Sequence, residues 1–191
     1  MKIIGLTGPT GAGKSSLTAT AKGFGFKVID CDLLARKAVE KDTEGLKALV
    51  SAFGEDILNP NGELDRKALG AKAFKNKENT ELLNETLLPC IVKLVEKECD
   101  GDVLLDAPTL IESGLNKKCD AVIGILADRE IRLKRITKRD NITEDDAMLR
   151  MNAGKPDDFY KENCDYIIYN NGNTAELKSE FAEKLKEIKE R

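Results

Sequence analysis

The chain has 191 residues, 41% of them apolar, with 31 basic and 34 acidic side chains and a formal net charge of −3. A polypeptide of this length forms one domain with room for an insertion and buries roughly 70% of the surface its unfolded chain exposes, which excludes disordered, collagen-like and mini-protein architectures. There is no bulk positive field to hold a nucleic-acid backbone. Histidine is absent, so histidine general bases, serine–histidine–aspartate hydrolysis and histidine-ligated metals are excluded together.

The first apolar run, Ile3 to Leu6, reads as a buried strand. It enters Gly8-Pro9-Thr10-Gly11-Ala12-Gly13-Lys14-Ser15, which fits G-x-x-x-x-G-K-[ST], and a helical pattern with Leu17, Thr18 and Ala21 leaves it. Average composition yields such a match in about one chain in a hundred of this length, and the strand-loop-helix setting makes chance rarer still. Glycines let the loop curl until its N–H groups converge on phosphate oxygens at a helix N-terminus. Lys14 would reach the β- and γ-phosphates of a bound nucleotide, and the Ser15 hydroxyl would bind the bridging Mg2+. The candidate nucleotide-binding segment runs from Gly8 through Ser16.

A second strand, Phe26 to Ile29, ends in Val28-Ile29-Asp30-Cys31-Asp32. Ligands of doubly wound sheets gather beyond the carboxyl ends of strands. Asp32 is therefore placed either to take the proton of an attacking hydroxyl or to cap a helix over Leu33 to Val39. From Asp32 to Asp102 the chain is too long for a simple crossover and carries helical patterns with almost no strand signal, which reads as an inserted helical subdomain. Within it Thr43 caps a helix bearing Leu46, Leu49, Val50 and Phe53, which Gly54 stops. Asn59-Pro60-Asn61-Gly62 makes a turn, Asp65 starts a helix through Phe74, and Pro89 fits the first turn of one bearing Ile91, Val92 and Val95.

The strand Val103 to Leu105 leads to Asp106, either a Walker-B type acid for magnesium or a capping acid in the Asp106-Ala107-Pro108 turn. A strand from Ala121 to Ala127, far too short to span a bilayer, precedes a basic helix, Arg129 to Arg139. On it Arg132, Arg135 and Arg139 share a face that is either solvated or closes over a transferring phosphate. Thr143 opens a further helix, with Asp146 as a capping-box partner and Arg150 on a candidate lid. The last strand, Tyr166 to Tyr169, leads through Asn170-Asn171-Gly172 into a charged helix. Alternating strands and helices predict an α/β fold, a doubly wound parallel five-stranded sheet with helical insertion and lid. Asn116-Lys117-Lys118-Cys119-Asp120 departs from the guanine motif N-K-x-D, which argues against a GTP switch. The five cysteines form no C-x-x-C pair and read as reduced thiols. Met1-Lys2 runs straight into the first strand without a signal-peptide core, and a cytoplasmic location is expected.

The phosphate loop, residues 28–36, Asp106-Ala107-Pro108-Thr109-Leu110-Ile111-Glu112, residues 135–140 and residues 165–172 together resemble the dephospho-CoA kinase family, over nearly the whole chain. The resemblance implies ATP-dependent phosphorylation of the ribose 3′-hydroxyl of dephospho-CoA, the last step in making coenzyme A. It implies that Lys14, Asp32 and Arg139 are catalytic, with Asp32 the base, and that Arg36 and Arg66 belong to the acceptor side with Asp106 and Pro108. It places Arg139 and Arg150 near phosphates and lid, and Asn171 and Gly172 near adenine. The expected organisation is a nucleotide-binding core of residues 1–31 and 102–191, an acceptor-binding subdomain of residues 32–101 and a lid of residues 140–157. A small-molecule substrate is expected, without nucleic acid, membrane or obligate protein partner. The chain departs from the family at Leu88, where histidine is usual before Pro89, at Thr109 in place of leucine, and near Gly154, where glutamine is common. Two other readings share the same loop: a different nucleoside or metabolite kinase, and a nucleotide-binding regulator that does not turn over.

Overall fold

The computed structural model describes residues 1–191. In chain order the elements are β1 (Ile3–Thr7), a 3₁₀ turn (Lys14–Ser16), α1 (Thr18–Gly23), β2 (Lys27–Asp30), α2 (Cys31–Ala38), α3 (Glu44–Phe53), α4 (Arg66–Ala73) and α5 (Lys77–Glu98). There follow β3 (Val103–Asp106), β4 (Ala121–Leu126), α6 (Arg129–Asp140), α7 (Glu144–Asn152), α8 (Asp157–Asn163), β5 (Tyr166–Tyr169) and α9 (Thr174–Glu190). The chain divides into two compact units. One comprises residues 1–29, 100–111 and 116–191, and the other residues 30–99 and 112–115.

The first unit is built on a parallel sheet with strand order β2-β3-β1-β4-β5. β1 lies at its centre, in register with β3 (Leu6 opposite Asp106) and with β4 (Leu6 opposite Ile123). Strand alternation sends Ile4, Leu6, Ile123 and Ile125 to one face, where they are fully buried against Leu17 and Ala21 from the α1 region and Leu177, Phe181 and Leu185 of α9. Burial of side chains of this size contributes about 1.5–3 kcal/mol each, enough to fix β1 and hence the loop that follows it. α7 joins α6 through a separate small cluster, Ile136 with Ala147 and Met151.

The second unit is helical. Thr43 accepts from Leu46 N at the start of α3, Gly54 ends that helix at φ 93°, and Asp65 accepts from Lys67 N and Ala68 N at the start of α4. Pro89 departs from its expected place in a first turn: it lies inside α5, which starts twelve residues earlier. Asn76 caps that earlier start by accepting from Asn79 N at 2.8 Å, and Thr80 Oγ1 donates to the Ala73 carbonyl at 2.9 Å. An interior proline costs a helix about 3 kcal/mol. α5 packs along α2, α3 and α4, and that tertiary burial holds the helix through the defect. α8 has no counterpart in the sequence reading, and α1 begins only at Thr18, after the 3₁₀ turn. No helix of the chain is long and apolar enough to cross a membrane.

Candidate functional site

β1 delivers its carboxyl end into a loop that only glycine can shape. Gly8, Gly11 and Gly13 have φ of 142°, 79° and 100°, in the region that side-chain-bearing residues avoid. A Cβ at Gly8 would strike the Ile125 carbonyl of the neighbouring strand. Ala12 N donates to the Pro9 carbonyl at 3.2 Å, closing the turn, and Lys14 Nζ donates to the Gly8 carbonyl at 2.7 Å, which curls the ammonium back across the loop. Ser16 Oγ donates to the Gly13 carbonyl at 2.8 Å, whereas Ser15 is exposed. Because α1 is short and starts after a break, the loop's own N–H groups and Lys14 supply most of its attraction for an anion.

The loop is tied from behind by residues of the basic face of α6. Arg132, only 6% exposed, donates from Nε to the Thr10 carbonyl at 3.1 Å and from Nη1 to Asp157 at 3.0 Å. Arg135 donates from Nη1 to the Gly11 and Ala12 carbonyls at 3.5 and 3.4 Å, and from Nη2 to the backbone and side-chain oxygens of Asn170 at 3.1 and 3.2 Å. Buried Asn170 completes the set, donating from Nδ2 to the Ala12 carbonyl at 2.7 Å. Spacing along α6 could place these arginines on one side of the helix but could not show that their targets are loop carbonyls.

Arg139 goes elsewhere. Its Nε and Nη2 donate to both carboxylate oxygens of Asp140 at 2.7 and 2.9 Å, and Arg150 Nη1 shares that carboxylate at 2.7 Å. The Arg139 partner, reinforced by Arg150, holds the Asp140 carboxyl below the ordinary range. The capping box expected at Thr143 is incomplete. Thr143 Oγ1 accepts from Asp146 N, but the Asp146 carboxylate takes the Thr143 hydroxyl rather than its backbone N–H, because Asp is too short to reach back. Asn171 and Asp128 bond reciprocally, each at 2.8 Å. Gly172 is exposed just before Asn173, whose side chain caps α9 with Glu176 in a full capping box.

Asp106 lies at the end of β3, half-buried and paired in register with Leu6. Its turn is fastened beside the loop, since Ala107 N donates to the Leu6 carbonyl at 3.1 Å and Thr7 Oγ1 to the Pro108 carbonyl at 3.2 Å. No group of three or more acidic or thiol side chains capable of holding a metal is present. The candidate oxygen donors are the Ser15 hydroxyl of the loop and the Asp106 carboxylate at the end of β3. That sparse set suits magnesium, which keeps several waters and takes its other oxygens from a nucleotide.

In the second unit the sequence left Asp32 as either a base or a helix cap, and the cap is another residue. Asp30 accepts from Leu33 N at 2.9 Å, while Asp32 sits exposed in the first turn of α2. Asp32 and Arg36, four residues apart, share a helix face and line a cavity of about 310 Å³ with Arg66 of α4. Leu64, Leu69, Phe74, Leu83 and Leu87 form its apolar wall. Of the expected acceptor-side residues, Asp32, Arg36 and Arg66 share this cavity, whereas Asp106 and Pro108 belong to the first unit.

Two cysteines of the first unit serve packing. Cys119 Sγ lies beside Gly5, and Cys164 Sγ beside Gly124, where the absence of a side chain makes room. Burial, reinforced for Cys119 by Asp120 and for both by Asp165, pushes each thiol up to about 12. The thiolate is the reactive form, so at pH 8.5 both will alkylate roughly a thousandfold more slowly than an ordinary thiol. Peptide mapping after iodoacetamide treatment of folded and unfolded protein checks this. Equal rates in the two states would refute it.

The comparisons with known proteins cover nearly the whole chain. The model of the dephospho-CoA kinase family matches residues 2–176, and the dephospho-CoA kinase of Corynebacterium glutamicum is 38% identical over 195 residues, 98% of each chain. The chain belongs to the dephospho-CoA kinase family. Among solved structures, the protein TT1252 of Thermus thermophilus is similar with a TM-score of 0.76 at 28% identity, covering 97% of each chain. The dephospho-CoA kinase from Campylobacter jejuni has a TM-score of 0.62 at 28% identity, covering 97% of this chain and 96% of its own. The family is one of kinases.

Proposed function

We propose that this chain transfers the γ-phosphoryl group of ATP to the ribose 3′-hydroxyl of dephospho-CoA, giving coenzyme A and ADP. The observation that carries the proposal is Asp32. A full phosphate loop at the end of β1 supports the binding of a triphosphate there. Asp32, relieved of capping by Asp30 and lining a cavity with two arginines, supplies the acceptor side with a carboxylate.

In this proposal the N–H groups of the loop and Lys14 bind the β- and γ-phosphates, and Arg36 and Arg66 hold the anionic part of the acceptor. The 3′-oxygen forms a bond to the γ-phosphorus as the bond from that phosphorus to the bridging oxygen of ADP breaks, and Asp32 takes the hydroxyl proton. A bound magnesium ion, on the Ser15 hydroxyl and near Asp106, would neutralise charge on the phosphates. Arg139 exchanges its Asp140 partner for the transferring group, whose charge it stabilises, and Asn171 and Gly172 border the adenine of ATP. The helical second unit is the acceptor-binding part. The location we propose is the cytoplasm, a reducing compartment in keeping with five cysteines that remain thiols.

Mixing the purified protein with ATP, magnesium and dephospho-CoA and weighing the acceptor tests the function. One added phosphate is expected. Phosphate moved only to another alcohol would make the chain a different metabolite kinase, and ATP binding without transfer would make it a regulator.

Residues 140–157 are proposed as a lid, since α7 is held to α6 through a small cluster and the Arg150–Asp140 pair, and exposes Leu149. Limited proteolysis will show residues 143–156 cut more slowly with ATP present than without it. Unchanged cutting would remove the lid.

A further inference from the structure

The carbonyl of Ala12 is held on one side of the phosphate loop by two donors, Asn170 Nδ2 at 2.7 Å and Arg135 Nη1 at 3.4 Å. A peptide unit is planar and trans, so fixing that carbonyl fixes the N–H of Gly13 on the opposite side. If the unit turned over, it would present an oxygen where an anion is to be bound, exchanging attraction for repulsion. The Asn170 amide is itself oriented. Arg135 Nη2 donates to its Oδ1 at 3.2 Å, so Nδ2 is the end that faces Ala12, and the Asn170 backbone N donates to the Leu126 carbonyl at 2.7 Å on β4. Gly13 is part of the same fit, because a Cβ there would overlap the Asn170 amide. Asn170 is 5% exposed, too buried to exchange these bonds for water without cost.

From this geometry we infer that Asn170 and Arg135 are positioning residues for triphosphate binding: they hold the Ala12–Gly13 peptide in the orientation that turns its N–H toward phosphate. The inference rests on the nucleotide-binding role proposed above. Neither residue touches the nucleotide in this scheme; both act through the loop. The guanidinium of Arg135 also stands behind the loop as a fixed positive charge, which favours an anion on the other side.

Asn170→Asp is the sharpest probe. It keeps the shape of the side chain and the acceptor for Arg135, but sets a carboxylate oxygen against the Ala12 carbonyl where a donor had been. Arg135→Lys keeps the charge and loses the fork that reaches Ala12 and Asn170 together. Both full-length variants are compared with the unaltered chain by equilibrium binding of ATP with magnesium, by KM for ATP and for dephospho-CoA, and by melting temperature. The ATP dissociation constant of Asn170→Asp is expected to rise about tenfold or more, that of Arg135→Lys by less, and the KM for dephospho-CoA to stay within about twofold. Should Asn170→Asp fail to fold, the rise in Arg135→Lys carries the test. Unchanged ATP affinity in the variants that fold overturns the inference, whatever happens to melting, because a brace of purely structural value would lower stability alone. If the unaltered chain binds ATP but does not phosphorylate dephospho-CoA, the functional proposal fails and the binding comparison still decides the positioning role.

Discussion

Lys14→Ala will abolish most ATP binding and lower kcat/KM for ATP by about 10²–10³-fold, because it withdraws the loop's ammonium from the phosphates in both ground and transition states. That ammonium also donates to the Gly8 carbonyl at 2.7 Å, a contact within the loop itself. A triphosphate offers that ammonium charged acceptors, and a charge-assisted hydrogen bond is about twice as strong as a neutral one. The sign is therefore clear without knowledge of the acceptor. A ligand present at a hundred times its dissociation constant adds about 2.7 kcal/mol to the stability of the state it binds. ATP should accordingly raise the melting temperature of the unaltered chain and scarcely move that of Lys14→Ala. If the variant melts with the same ATP-dependent gain, Lys14 is not a phosphate ligand.

Asp32→Asn will lower the rate of transfer by about 10²–10⁴-fold with ATP affinity little changed, the range expected when a general base is removed. The substitution is nearly isosteric. It leaves the α2 cap intact, since Leu33 N is bonded to Asp30 and not to Asp32. Its structural cost is the loss of one negative charge from the first turn of a helix, about 0.3–1 kcal/mol at an exposed position. Single-turnover phosphate transfer, equilibrium ATP binding and melting temperature measured together separate the roles. Near-normal transfer would reduce Asp32 to a surface acid. Asp30→Ala is the control, expected to cost about 1 kcal/mol of stability through the lost cap.

The strands and the loop were legible because short-range rules govern them. Buried runs such as Val103 to Leu105 and Ala121 to Leu126 have no polar face to confuse their reading, and a loop needing three left-handed residues must show its glycines. Caps were legible for the same reason: Thr43, Asp65 and Thr143 each bond an N–H within three residues. The failures came where distant partners decide. Pro89 looked like a helix start because local propensity forbids it elsewhere, yet packing of α5 on its neighbours outweighs one missing bond. The sequence offers Asp32 as the cap, whereas Asp30 takes that role because the helix starts two residues earlier.

For this chain, sequence alone determined the alternation of strand and helix, the phosphate loop and the acids that follow β2 and β3, because each is encoded by residues within a few positions of one another. Tertiary structure alone decided which member of an acidic pair caps a helix, which arginines of α6 turn to loop carbonyls and which to Asp140, and that Asn170, 158 positions from Ala12 along the chain, holds the loop's peptide. The physical reason is the range of the forces. Backbone sterics and capping act over one turn, whereas a buried polar group must find its partner in space, and that partner is set by how the sheet brings the ends of β1, β4 and β5 side by side.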